Sequence, residues 1–89
     1  GQPPRLQMAL SWQKLGDEEK AQKAYQDALR IRPAHPRLNY HYGQFSMRQG
    51  RIEEAREHLG RALDGWAPAD SSFAPKQQAR RLVNSMSAG

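Results

Sequence analysis

Apolar residues along this chain recur at helical spacing, in stretches that end at glycine or proline. Met8, Ala9, Trp12 and Leu15 mark a first helix from Arg5 to Leu15, with Gly16 placed to cap it in the left-handed conformation. Asp17 then reads as the N-cap of a second helix. Its buried stripe is Ala21, Ala24, Tyr25, Ala28, Leu29 and Ile31, and Pro33 stops it. Glu18 and Glu19 occupy its first turn and Arg30 and Arg32 its end, the polarity that the helix macrodipole favours. Pro36 opens a third helix to about Gln49, anchored by Leu38, Tyr42, Phe45 and Met47 and capped at Gly50. The fourth runs from about Arg51 or Ile52 to Asp64 and buries Ile52, Ala55, Leu59, Ala62 and Leu63. Gly65 suits its cap, with Trp66 folding back on the helix end in a Schellman-type contact. After a loop from Ala67 to Ser72, a fifth helix is expected to start at a Ser71 or Ser72 cap and end near Ser85. Its stripe is Phe73, Ala79, Leu82, Val83 and Met86.

The second and fourth helices carry one pattern twice. Gly16/Gly50, Glu19/Glu53, Ala21/Ala55, Ala28/Ala62 and Leu29/Leu63 are all 34 residues apart, and the register extends from Ala9/Gly43 to Pro33/Ala67. A fixed period of this length is the mark of a repeat architecture. The connection at Gly16 and Asp17 is so short that the helices on either side must be antiparallel neighbours. The expected layout is all-α, an α-solenoid of antiparallel helix pairs with five helices. It divides into an unstructured lead-in at 1–4, a first repeat at 5–35, a second at 36–69, and a capping helix with its tail at 70–89.

Composition narrows the picture a little. The 89 residues include no cysteine, so neither disulfides nor zinc fingers support a small core. No apolar run approaches the roughly 18 to 20 residues of a membrane span, so this segment does not insert into a membrane. The compartment, cytoplasmic or periplasmic, is left open. Lys+Arg number 14 against 9 Asp+Glu, a net charge of +5 that invites a nucleic-acid reading. The cations are interspersed with acids, as on an ordinary solvated helical surface.

These positions resemble the tetratricopeptide repeat, a 34-residue helix–turn–helix unit. The first copy supplies Met8 and Ala9, Trp12, Ala21, Tyr25, Ala28 and Pro33; the second supplies Tyr42 and Gly43, Ala55, Leu59 and Ala62. The small residues Ala9/Gly43 and Ala21/Ala55 are expected where paired helices touch. The chain departs from the pattern at Arg5 and Asn39 in the leading Trp position, at Ser46 in place of an aromatic, and at Ala67 in place of proline. Two copies fall short of the three or more that such stacks usually need, so a longer parent or self-association is expected.

The resemblance implies a protein–protein interaction scaffold whose first helices line a concave groove for a protein or peptide segment. Carried over by position, the groove is Leu6, Leu10, Gln13 and Lys14, then Arg37, Tyr40, Gln44, Met47 and Arg48, with Gln78 and Arg81 added by the fifth helix. The places where some members grip a carboxylate with a Lys/Asn/Arg clamp hold Leu6, Leu10, His41, Ser71 and Pro75, so that clamp is absent. Within the class, Leu38 to Arg51 is similar to a stretch of bacterial repeat proteins of type IV pilus biogenesis, through Tyr42-Gly43, Phe45 and Gly50-Arg51. Nucleic-acid binding on the basic surface is the competing reading, and a structural or dimerisation module the third. A homodimer would pair through the N-terminal helix, at Leu6, Met8 and Leu10.

Catalytic chemistry finds no constellation here. His35, His41 and His58 are scattered and read as groove or surface histidines, none spaced for zinc. Glu18/Glu19 and Glu53/Glu54 begin helices, and the glycines fall at helix ends rather than in a phosphate loop. A non-enzyme is expected, with no cofactor, metal or small-molecule substrate.

Overall fold

A computed structural model describes residues 4–68 and 71–87. The described residues form five α-helices and no strand: α1 (Pro4–Lys14), α2 (Glu18–Ile31), α3 (Pro36–Arg48), α4 (Ile52–Gly65) and α5 (Ala74–Ser87). They fall into two compact units, Gly1–Pro33 and Ala34–Gly89. Residues 1–3 of the expected lead-in lie outside the described residues, as do 69 and 70 of the loop and 88 and 89 of the tail. Pro4, placed in that lead-in by the sequence, opens α1.

In the first unit α1 packs on α2. Gly16 ends α1 with φ +83°, a value that glycine adopts without strain. Its N–H donates to the Gln13 carbonyl at 3.1 Å and the Asp17 N–H to Trp12 at 2.9 Å, the paired bonds of a Schellman motif. The Asp17 carboxylate then accepts from the Lys20 N–H at 3.1 Å, so one short corner stops one helix and starts the next. Leu6, Ala9, Ala21, Tyr25 and Ala28 form the core, and the Tyr25 hydroxyl donates to Gln13 across the pair.

Here the expected stripes need correction. Met8 is 54% exposed, Leu15 75% and Ile31 60%, while Trp12 is half-buried. Apolar residues lie on both sides of α1, so periodicity alone does not choose between Met8/Trp12/Leu15 and Leu6/Ala9/Leu10. Gln13, assigned to the groove by the sequence, is half-buried and accepts from the Tyr25 hydroxyl.

In the second unit α3 packs on α4, and α4 on α5. The corner repeats the first in atomic detail: Gly50 has φ +81°, its N–H donates to Met47 at 3.0 Å, and Arg51 N–H donates to Ser46 at 2.9 Å. Leu38, Tyr42, Phe45, Ala55, Leu59 and Ala62 are buried. Gly43 sits where the helices come closest. A Cβ there would stand 2.7 Å from Leu59 Cγ and 3.2 Å from the Leu59 backbone nitrogen. Ile52, expected inside, shares the face of the Ala55–Leu59–Ala62 stripe but is 40% exposed, being the first residue of α4.

Gly65 is not the left-handed cap that its position suggested, since positive φ among glycines occurs at Gly16 and Gly50. It is the last residue of α4, and a Cβ on it would fall 2.8 Å from Pro36 Cβ, so the requirement is for space. Trp66 turns into a cluster with Leu59, Ala62 and Ala79, its ring 5.2 Å from Phe73 and 5.4 Å from Tyr40. α5 begins after Phe73, whose carbonyl accepts from Gln77 N–H at 3.1 Å, and extends past Ser85 to Ser87.

Ala21 and Ala55 are both wholly buried, so Ala21→Leu or Ala55→Leu is expected to destabilise by about 1 to 3 kcal/mol through overpacking. Gly43→Ala is expected to lower the thermal midpoint too, although alanine favours helix, because Leu59 must shift to admit a methyl group. Unchanged midpoints in all three variants would show that these are not the helix contacts.

Candidate partner-binding surface

The outward side of α3 follows from what its inward side buries. Leu38, Asn39, Tyr42, Gly43, Phe45 and Ser46 are buried, which at 100° per residue leaves Arg37, Tyr40, His41, Gln44, Met47 and Arg48 facing away. All five α3 residues assigned to the groove therefore share one face. Arg48 is exposed and the others half-buried. Gln44 Nε2 donates to the Tyr40 hydroxyl at 3.3 Å, and the Tyr40 ring meets His41 at 5.3 Å as well as Trp66. His41, which sequence reasoning treated as a scattered histidine, stands between Arg37 and Arg48. Burial, and then those two arginines, hold its proton affinity below the ordinary value. Its spacing, i+4 from Arg37, was the available signal. On α5, Arg81 donates to Gln78 at 3.0 Å.

On the first unit the assigned residues divide. Leu6 is wholly buried and offers no surface, so it leaves both the groove and the dimer assignment. Leu10 and Gln13 are half-buried and Lys14 is exposed. The opposite side of α1 is the open one. One shallow hollow is lined by Gln7, Met8, Ser11, Trp12 and Leu15. Another, bounded by Met8, Trp12, Lys20 and Lys23, adjoins it, and Lys20 Nζ lies 4.6 Å above the Trp12 ring. Met8, Ser11 and Trp12 correspond by the 34-residue period to Tyr42, Phe45 and Ser46, all buried in the second repeat.

His58 is buried, not a groove or surface residue. Its Nδ1 lies 2.7 Å from Asn39 Oδ1, while Asn39 Nδ2 donates to the His35 carbonyl at 2.9 Å. That second bond fixes the amide, so in the neutral ring Nδ1 carries the proton and donates it. The Tyr42 ring stands edge-on to His58 at 4.7 Å, and its hydroxyl donates to Glu54. Burial first, then Arg61, lower the His58 proton affinity against the opposing pull of Glu57 and Glu54. The group fills the site that the repeat pattern gives to tryptophan. Among the described residues no cluster of His, Asp or Glu could hold a metal, and no helix is long and apolar enough to cross a membrane.

Two antiparallel helix pairs in one 34-residue register, followed by a further helix, define an all-α helical-hairpin repeat protein. The tetratricopeptide repeat family model matches residues 14–68, more than half of the chain, and the chain belongs to that family. No curated protein and no solved structure matches it.

The histidine environment predicts a pH dependence. Unfolded histidine titrates near 6.5, and folded His58 and His41 titrate lower. The unfolded chain thus binds more protons just below 6.5, and stability falls as pH drops through the folded-state values. Urea midpoints are expected to decrease between about pH 7.5 and about pH 5.5, and His58→Gln with His41→Gln to flatten the slope. An equal slope in that double variant would assign the effect elsewhere.

Proposed function

We propose that the chain is a protein–protein interaction scaffold that holds a segment of a partner protein on the outward face of a repeat's first helix. Protein–protein interaction is the general role of the family to which it belongs. The observation that carries the reading is the α3 face, where Arg37, Tyr40, Gln44, Met47 and Arg48 lie on the side away from α3's buried residues. Leu10, Gln13 and Lys14 are the α1 residues proposed for the same role, and Gln78 and Arg81 those of α5. A place in pilus biogenesis or envelope assembly rests on the likeness of Leu38 to Arg51 alone. The experiment is a selection of random peptides against the protein, followed by titration of the enriched peptides against Gln44→Ala and Met47→Ala. Losses of about tenfold or more in the double variant are expected. Enriched peptides that bind the variant unchanged would remove α3 from the site.

A second reading, a homodimer through α1, is favoured by the exposed Met8, Trp12 and Leu15 side. Contiguous apolar surface is uncommon on stable monomers, and pairing of one face about a two-fold axis closes it. Sedimentation equilibrium is expected to show a dimer that Met8→Glu and Leu15→Glu dissociate. A monomer at high micromolar concentration would sink the homodimer.

A further inference from the structure

We infer that the segment held by α3 is acidic, with Arg37 and Arg48 binding its carboxylates and His41 and Gln44 contributing hydrogen bonds between them. This inference rests on the partner-segment reading above and names the chemistry of the partner.

The argument is one of charge placement. Three of the four acids of α4 are engaged by arginines of the same segment: Glu54 with Arg51 at 3.0 Å, Glu53 with Arg56 at 2.7 Å, and Glu57 with Arg61 at 3.6 Å. α3 contains no acid at all, and among the described residues neither Arg37 nor Arg48 forms an ion pair. Arg37, His41, Gln44 and Arg48 follow one another at i, i+4, i+7 and i+11, a single line along the helix. Both arginines act on His41, which shows that the three groups share one electrostatic neighbourhood. About 16 Å apart along the helix, the two cations are largely screened from each other and have no acid on α3 to pair with. A carboxylate ligand supplies the missing counter-charge, and guanidinium offers it paired N–H donors.

Dimensions agree. Eleven helical residues advance about 16 Å at about 1.5 Å each, a span that about five residues of extended chain would cover at roughly 3.3 Å each. Met47, half-buried beside this line, gives an apolar contact for a side chain interspersed among the acids. Nucleic acid, the other polyanion, binds single-stranded through aromatic platforms. The Tyr40 ring is already taken up by His41 and Trp66, so this face presents no free platform.

The test is fluorescence anisotropy with a labelled peptide of about ten residues alternating glutamate and leucine, long enough to span the line. Its glutamine counterpart and a single-stranded oligonucleotide of equal length serve as comparisons. Variants are Arg37→Glu with Arg48→Glu, the milder Arg48→Gln, and Lys23→Glu with Arg80→Glu as a charge-matched control. Circular dichroism melts verify that each is folded. The glutamate peptide is expected to bind the native protein and the control alike, about tenfold or more weakly to the Arg37/Arg48 variant, and measurably more weakly to Arg48→Gln. Equal binding of the glutamine peptide, or no binding of either, overturns the acidic assignment. The partner-segment reading then stands or falls separately, on whether selected peptides lose affinity with Gln44→Ala and Met47→Ala. A glutamate peptide weakened equally by the control also overturns it, since net charge would then be the cause. Tighter binding of the oligonucleotide, dependent on Arg37 and Arg48, overturns it in favour of nucleic acid.

Discussion

The closeness of α3 and α4 at Gly43 is the constraint from which the second hairpin follows. With Leu59 Cγ only 2.7 Å from where a Cβ would stand, the residue on α3 can have no side chain. Once the backbones are this near, Leu59 is buried against α3 on one side and the Trp66–Ala79 cluster on the other. The same closeness explains why Ala55 and Ala62, about one turn either side of Leu59, are small and wholly buried. The first hairpin has alanine at the corresponding position, Ala9, and a tyrosine, Tyr25, opposite the place of Leu59. One period thus holds two packings of different volume.

Corners fix what packing leaves free. The Gly16 and Gly50 turns make the same two hydrogen bonds from equivalent atoms, and each needs one residue in the left-handed region. Helix starts are less uniform. Asp17 caps α2 with its carboxylate, whereas Arg51 before α4 makes no side-chain cap and is tied to Glu54 instead. The two solutions satisfy different groups, a backbone amide in one and a carboxylate in the other.

How much of this the residues disclosed depends on how many neighbours share each signal. The helices, the 34-residue register and the Gly16 and Gly50 corners were legible because each is dictated locally, by periodicity or by a single dihedral. The buried side of α1 was not, since Leu6 and Ala9 compete with Met8 and Trp12 at equal spacing. Its choice is made by tertiary contact through Gln13 and Tyr25. Gly65 misled for a related reason: glycine marks either a left-handed turn or a close approach, and only the position of Pro36 decides. His58 was hidden because its partner Asn39 is 19 residues away. On the candidate surface, Arg37, Tyr40, Gln44, Met47 and Arg48 were readable as one face, whereas the burial of Leu6 and the place of His41 between two arginines were not.

On α3 the buried residues and the residues proposed for recognition occupy different sides. The inward side of α3 carries the uncharged polar pair with His58, whose hydrogen bonds demand fixed partners and tolerate little change. Ser46, on that side, is buried with its hydroxyl unpartnered, a burden of roughly 1 to 3 kcal/mol that the surrounding packing offsets. The outward side carries the solvent-reaching Arg37, Gln44 and Arg48, beside Tyr40, which packs on the Trp66 cluster. Ion pairing follows the same division, because Glu53, Glu54 and Glu57 of α4 are paired with nearby arginines while Arg37 and Arg48 of α3 have no ion pair among the described residues. A helix pair built this way keeps its fold fixed while its outward charge is free to be shaped by whatever it holds. That separation is why the fold of this chain could be read in its glycines and alanines, whereas the partner proposed for it is argued from its arginines.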